Sequence, residues 1–184
     1  MFPAFMLFKD QQPQTQALYI TLVSFLGTVS YTLSSIGREG RTLSLLRSLP
    51  IKISVVLRAK FLLSLMLNLS VTVAFIFVFS LTRKLTWDVT FRNLLIGIIA
   101  SVFFSSLGIG LAALFPRLDF TNPMRAIAVP GLYAFYLISM LFIATMMLVP
   151  YTNWIFMLLG IVFWSVVAAV LLKLGVRRLE KMDV

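Results

Sequence analysis

The sequence contains no cysteine and no histidine among its 184 residues. The absence of cysteine excludes disulfides and thiolate chemistry, and the absence of histidine removes the commonest metal ligand and general base. Acidic residues are also scarce, six against 16 lysines and arginines. With so few groups able to bind metal ions or exchange protons, we expect no enzyme activity and no catalytic, metal-binding or cofactor-binding residue in this chain.

Apolar residues dominate what remains. Hydrophobic residues make up 60% of the chain, charged residues only 12%, and the mean hydropathy is +1.01. These values indicate a membrane protein. A net charge of +10 would suggest nucleic-acid binding in a soluble protein, but in a membrane protein basic cytoplasmic loops are the commoner cause, so no nucleic-acid partner is expected.

Five apolar stretches come close to the roughly 20 residues that are needed to cross the hydrocarbon core. Each is long and lacks alternating polarity, so helices are expected rather than the short strands of a membrane barrel. The predicted fold is therefore all-α, a polytopic membrane helix bundle that forms a single transmembrane domain over residues 1–184. The approximate spans are 17–35, 61–82, 94–115, 126–149 and 154–174.

Basic residues fall mainly on one side of this arrangement. Segments 37–60 and 116–125, together with the carboxyl-terminal tail, hold 12 of the 16. The positive-inside rule therefore predicts a multi-pass protein of the cytoplasmic membrane, with its amino terminus outside and its carboxyl terminus in the cytoplasm. The other side keeps Lys9, Arg83, Lys84 and Arg92.

Two local patterns concern helix packing. Small residues recur every four positions in the third span, which allows close helix approach. Pro130, inside the fourth stretch, predicts either a kink that acts as a gating hinge or a span that begins properly only at Leu132, and its place near the cytoplasmic end favours the second. The small residues are Gly97, Ser101 and Ser105, with Ser106 and Gly110 as a second pair.

The predicted spans contain no acidic residue, and their one basic residue is Lys173, at an inner end. Ion-coupled transporters and intramembrane hydrolases generally place ionisable groups at membrane depth. A transport role would therefore need energy from outside the spans, and an ATPase is the obvious source. Because the sequence has no GxxxxGK[ST] loop, ATP and Mg²⁺ are expected on a partner subunit and not on this chain.

A short amphipathic helix is predicted over residues 38–49, and Pro50 blocks its continuation. Its leucines share one side and its arginines and serines the other. Two interpretations remain open, an interfacial helix that binds anionic lipid and a contact surface through which a cytoplasmic partner acts on two spans. The two faces are Leu43, Leu46 and Leu49 against Arg41, Ser44, Arg47 and Ser48.

The same segment resembles the cytoplasmic segment of permease subunits of bacterial ABC exporters. The matching positions are Arg38, Glu39, Gly40, Leu46, Leu49, Pro50, Ala59 and Lys60. The resemblance implies that residues 38–49 form a coupling helix seated on an ATP-binding subunit. The contact residues that it implies are Arg38, Glu39, Gly40, Arg41, Leu43, Leu46, Arg47, Leu49 and Pro50.

A second segment, GIGLAALFPRLDFTNPMRAI, resembles a later cytoplasmic loop of the same permeases. Such permeases usually have six helices per unit, whereas five are predicted here, and the sequence before the last span is also shorter. The chain therefore either represents the carboxyl-terminal half of a longer permease or simply inserts its weakly apolar first helix with the amino terminus outside. The matching loop positions are Pro116, Arg117, Asp119, Asn122 and Pro123.

Two functions follow as expectations. The first is a transmembrane subunit of an ATP-driven ABC exporter, which couples ATP hydrolysis by a separate subunit to substrate export. Its partners would be an ABC ATP-binding subunit, a second transmembrane subunit or domain, and the lipid bilayer. The alternative is a non-transporting membrane assembly or regulatory subunit whose basic loop binds lipid or protein.

Overall fold

The computed structural model describes residues 13–33, 53–116, 127–148 and 154–181. Within these ranges the regular structure is helical, as the sequence predicts, apart from one isolated bridge between Pro116 and Ile127. Five helices follow one another along the chain. They are α1 (Pro13–Tyr31), α2 (Ile53–Arg83), α3 (Trp87–Leu114), α4 (Val129–Leu148) and α5 (Trp154–Lys181).

Three of the described helices are long and apolar enough to cross a membrane, namely Ser54–Arg83, Trp87–Leu114 and Val129–Met146. The all-helical prediction is thus confirmed, and α2, α3 and α4 have the length and composition that a crossing needs. For spans 17–35 and 154–174 the structure provides the helices α1 and α5. Crossing of the membrane by any of the five stays a prediction.

The ends of the helices differ from the ends of the apolar stretches. α2 begins at Ile53, about two turns before the predicted span, and α5 continues to Lys181, beyond residue 174. The added turns carry Arg58, Lys60 and the basic tail of α5. Backbone hydrogen bonds continue through such residues, because lysine and arginine are good helix formers. Hydropathy therefore marks the apolar part of a helix and not its termini.

Pro130 lies in the first turn of α4, which begins at Val129. A proline there costs little, since the first backbone N–H groups of a helix have no intrahelical acceptor. Leu132 N bonds Ala128 O at 3.2 Å. The sequence favoured a span that begins properly at Leu132 over a hinge at Pro130. The helix begins three residues earlier, at Val129, so Pro130 lies in its first turn and not in its interior.

α3 is the central helix of the described bundle. In its most apolar window 72% of the residues are buried, compared with 22% in α2 and 33% in α4. One side of α3 carries an aromatic cluster in which the Phe103 and Phe142 rings stack with centroids 4.1 Å apart. Trp164 of α5 meets both rings edge-on. This cluster joins α3, α4 and α5.

Close packing of α3 on α5 depends on two glycines. A Cβ atom on Gly110 would lie 3.0 Å from the carbonyl carbon of Leu171, and one on Gly175 would lie 2.9 Å from the carbonyl oxygen of Gly110. Both neighbours are backbone atoms, which cannot rotate away, so the helices touch only because glycine occupies these positions. At Gly160, by contrast, a Cβ atom would meet nothing within 4 Å. The two helices are therefore tightly packed near the end of α3.

The outer surface of the bundle is apolar. Large hydrophobic side chains of α2, α4 and α5 are between 53% and 68% exposed at the positions given below. Contiguous apolar surface of this kind is rare on soluble monomers and usually marks a contact with lipid or protein. The positions include Leu62, Leu63 and Met66 in α2, Leu137, Met140 and Leu141 in α4, and Leu159, Val162, Phe163 and Val166 in α5.

Candidate functional site

The segments that the sequence singled out fall largely outside the described residues. This applies to the whole predicted coupling helix and its contact residues, Arg38 to Pro50, and to Arg117, Asp119, Asn122 and Pro123 of the later loop. Pro116 is described, and it lies half-buried in its bridge with Ile127. Beside it, Ala128 N donates to Phe115 O at 2.9 Å. The predicted contact with an ATPase therefore stays a prediction.

The described residues contain a different polar site, which we call the polar seam. It is a column of neutral polar side chains between α1, α2 and α3, and none is more than 8% exposed. The members are Gln16, Ser24, Thr28 and Thr32 in and directly after α1, Ser64, Asn68, Thr72 and Ser80 in α2, and Asn93, Ser101 and Ser105 in α3.

α1 and α2 pair along the seam in a fixed antiparallel register. Each step of four residues forward along α1 is matched by a step of four backward along α2, because residues four apart lie on the same helix face. Ser24 pairs with Thr72 at 2.9 Å, and Asn68 Nδ2 donates to Thr28 Oγ1 at 2.9 Å. Thr32 and Ser64 form the next hydroxyl pair.

α3 joins the same layers in a parallel register. A separation of 77 residues links Ser24 to Ser101 and also Gln16 to Asn93, whose Nδ2 donates to Gln16 Oε1 at 3.1 Å. Further along α3, a Cβ atom on Gly108 would lie 2.7 Å from Thr32 Cγ2, so glycine at this position lets the backbone of α3 approach α1. The three helices thus meet in successive layers.

The central layer is a hydroxyl triad made by Ser24, Thr72 and Ser101. Thr72 Oγ1 lies 2.9 Å from Ser24 Oγ and accepts from Ser101 Oγ at 3.3 Å, and the two serine oxygens are 3.5 Å apart. All three residues are fully buried. A hydroxyl group both donates and accepts, so three of them can satisfy one another without any charged group.

An apolar layer separates the triad from the Gln16–Asn93 pair. Ile20 and Ile76, each 1% exposed, fill this layer from α1 and α2. Gly97 faces them from α3, where a Cβ atom would lie 2.7 Å from Ile76 Cδ1. The seam is therefore interrupted and forms two polar compartments, one at each side of the isoleucine layer.

Several buried oxygens of the seam have no hydrogen-bond partner among the described residues. They are Asn68 Oδ1, Ser80 Oγ, Asn93 Oδ1 and Ser105 Oγ. The layer register places Ser80 beside the Gln16 and Asn93 layer, and Ser105 beside the layer of Thr28 and Asn68. Buried polar atoms normally find partners, so both layers have spare capacity for a hydrogen-bond donor.

The chemistry of the seam is limited to hydrogen bonding. It contains no carboxylate, amine or thiol, and the part of the chain that the structure describes has no cluster of three potential metal-ligating residues. A hydroxyl nucleophile needs such a group nearby as a base, and acid–base and metal-dependent reactions need them directly. The arrangement is suited to holding helices together and to binding small polar groups.

Sequence reasoning missed the seam, although a signal was present. The hydroxyl residues of the first span suggested only a weakly apolar helix. Their spacing carried more information, since Gln16, Ser24, Thr28 and Thr32 all lie at multiples of four residues from one another. This spacing predicts that one face of α1 is polar. The small residues of α3 that begin with Gly97, which the sequence did reveal, pack against that face.

Comparison with known proteins gives one match. A family model described as "Putative ATP-binding cassette" matches residues 15–161, which is most of the chain. No curated protein and no solved structure matches the chain.

This match corrects the functional prediction. The description names an ATP-binding cassette and not a permease, so the prediction of a permease subunit of an ABC exporter is wrong. The error came from a short loop resemblance of a few residues, which identified the ABC context but chose the wrong component. The alternative of a non-transporting assembly or regulatory subunit gains no better support.

The triad gives a direct test of the seam. Thr72→Val keeps the side-chain shape but removes the hydroxyl group shared by Ser24 and Ser101. In a double-mutant cycle with Ser24→Ala, we expect a coupling free energy of about 0.6–1.7 kcal/mol, the range of interhelical hydrogen bonds in membrane proteins. The measurement is equilibrium unfolding in detergent micelles.

Thr82→Val is the matched control for this cycle. The Thr82 hydroxyl is exposed and donates to Val78 O of its own helix at 2.7 Å. Its loss should change the free energy of unfolding little and should show no coupling to Ser24→Ala. A coupling of zero between Ser24 and Thr72 would contradict the triad.

Proposed function

This chain belongs to the ATP-binding cassette family whose model it matches, and from that premise we propose that it is a membrane-embedded member of that family. The observation that carries the membrane location is the apolar outer surface of the bundle, together with the length of α2, α3 and α4, which is sufficient to cross a bilayer. In water this surface would drive aggregation, whereas in lipid it needs no cover.

The polar seam supports the inclusion of α1 among the crossings. Ser24 and Thr28 lower the hydropathy of α1, but both are fully buried against α2 and α3, where their hydroxyl groups find partners. The exposed Ser30 hydroxyl bonds the carbonyl oxygen of Leu26 in its own helix. A helix whose polar groups are all satisfied in this way can lie in hydrocarbon at moderate cost.

The directions of the helices agree with successive crossings. α1 and α2 are antiparallel and α1 and α3 are parallel, as the seam register shows. α3 and α5 are also parallel, because Phe103 meets Trp164 and, further along both helices, Gly110 meets Leu171. We propose five crossings, with the amino terminus outside and the carboxyl terminus in the cytoplasm, where the basic residues concentrate.

The nucleotide site is the second part of the proposal. Phosphate binding by a P-loop needs a glycine-rich turn between a strand and a helix. The sequence lacks the GxxxxGK[ST] pattern, and the described ranges contain no strand from which such a turn could start. We therefore assign ATP and Mg²⁺ to a partner subunit of the same system, and this chain itself performs no catalysis.

Membrane insertion can be tested with single cysteines, because the native chain has none. Lys84→Cys lies between α2 and α3 and Arg177→Cys in the last turns of α5, and both parent residues are exposed. We expect an impermeant maleimide to label Lys84→Cys in intact cells and Arg177→Cys only after the membrane is opened, in a protein that resists alkaline extraction.

The cysteine-free parent serves as the control and should remain unlabelled. Extraction of the protein by alkaline carbonate would contradict membrane embedding. Labelling of Arg177→Cys in intact cells together with protection of Lys84→Cys would contradict the orientation while leaving the embedding intact.

Nucleotide assignment can be tested by photolabelling with an azido analogue of ATP. The purified chain alone should show no labelling that unlabelled ATP competes away, because it offers no phosphate cradle. A preparation that retains native partners should show competed labelling on a separate polypeptide. Competed labelling of this chain itself would contradict the assignment and make it the ATP-binding component.

A further inference from the structure

A groove between α3 and α5 opens on the outer surface of the bundle, and the inference drawn from it rests on the membrane location proposed above. Its volume is about 320 Å³, which is at the lower end of the range for ligand pockets. The lining is almost entirely apolar. It includes Ile98, Val102 and Ser106 from α3, and Ser165, Ala169 and Leu172 from α5.

The groove lies between α3 and α5 on the amino-terminal side of their contact at Gly110. Small side chains, Ser106 and Ala169, leave the space between the helices unfilled. The floor is rigid, since Trp164 packs edge-on against Phe103 at 5.2 Å and its Nε1 donates to Thr145 Oγ1 at 2.9 Å. An apolar groove with a rigid floor and one open side can bind an apolar chain without rearrangement.

One ridge of α5 connects the groove to positive charge. Ser165, Ala169, Lys173 and Arg177 follow one another at intervals of four residues, and all four are exposed. Ser165 and Ala169 line the groove, and Lys173 lies about 12 Å along the helix from Ser165, given the rise of an α-helix. The ridge is thus uncharged along the groove and cationic beyond the end of the groove that is nearer the carboxyl terminus of α5.

The charge at this end is not balanced by nearby acids whose side chains the structure describes. The one carboxylate among those side chains belongs to Asp88, in the first turn of α3, which is the opposite end of that helix. Arg178 lies with its guanidinium carbon 5.3 Å from the centre of the Phe115 ring and so faces another direction. Lys173 and Arg177 are the basic residues of the ridge at this end of the groove.

We propose that this groove binds one acyl chain of an anionic phospholipid, whose phosphate contacts Lys173 and Arg177. The apolar lining of the groove matches the hydrocarbon, and the two cations match the phosphate at the predicted cytoplasmic interface. A zwitterionic lipid would fill the groove equally well but gain less from the charges. Headgroup preference is therefore the property that separates a specific site from ordinary lipid contact.

Trp164 provides the reporter, because it forms part of the groove lining. Trp87→Phe and Trp154→Phe leave it as the single tryptophan of the full chain. The protein is reconstituted in phosphatidylcholine vesicles that contain an equal small fraction of either dibrominated phosphatidylglycerol or dibrominated phosphatidylcholine. We expect the brominated phosphatidylglycerol to quench Trp164 more strongly, since bromine quenches only on contact with the indole.

Three variants and a control sharpen the test. Lys173→Gln and Arg177→Gln should each reduce the preference for phosphatidylglycerol about fivefold, the effect of one basic residue at an anionic surface. Ala169→Phe should fill the groove and reduce quenching by both lipids. Lys84→Gln removes one exposed charge at the other end of the bundle and should leave the preference unchanged.

Equal quenching by the two lipids, or a preference that survives both charge removals, would overturn the lipid site while leaving the membrane location intact. Absence of quenching by either lipid in inserted protein would also overturn it, because a protein segment would then cover the groove. If the protein does not insert into vesicles at all, both this proposal and the proposed membrane location fall.

Discussion

The described bundle depends on one constraint, that the polar groups of α1 must be satisfied by α2 and α3. An unpaired polar group costs several kcal/mol in hydrocarbon. α1 has a polar side chain at nearly every turn of one face, and each of them needs a partner. In the observed register, Ser24, Thr28 and Thr32 all find hydroxyl or amide partners. A shift of one turn would place these side chains against different partners.

The seam also explains why α3 is central. Its glycines allow the approach of α1 and α2 on one side and of α5 on the other, while its aromatic residues fill the gap to α4. The apolar layer of Ile20 and Ile76 interrupts the polar column. The outer faces, including the groove beside Trp164, then remain for contact with lipid, so the polar interior and the apolar exterior are two results of the same packing.

The sequence predicted the helices well and the site poorly, for physical reasons. Long apolar stretches identify helices because hydrocarbon allows few alternatives, and the start favoured near Pro130, at Leu132, was three residues late. Hydropathy averages over all faces of a helix. The polar residues of α1 therefore lowered its mean hydropathy, and the average did not show that they lie on one face. The register of Ser24 with Thr72 depends on three helices at once, and no single segment contains it. The loop around Arg38 and Pro50 indicated an ABC context, but too few residues carried the resemblance to distinguish one component from another.

The most direct test of the account is disulfide cross-linking across the seam, in a chain with no native cysteine. The account predicts rapid oxidation of the pair Ser24→Cys and Thr72→Cys, because the oxygens they replace are 2.9 Å apart. The pair Ser24→Cys and Asn68→Cys is one turn out of register and should remain reduced. Equal cross-linking of both pairs, or preference for the second, would contradict the register and the account that depends on it.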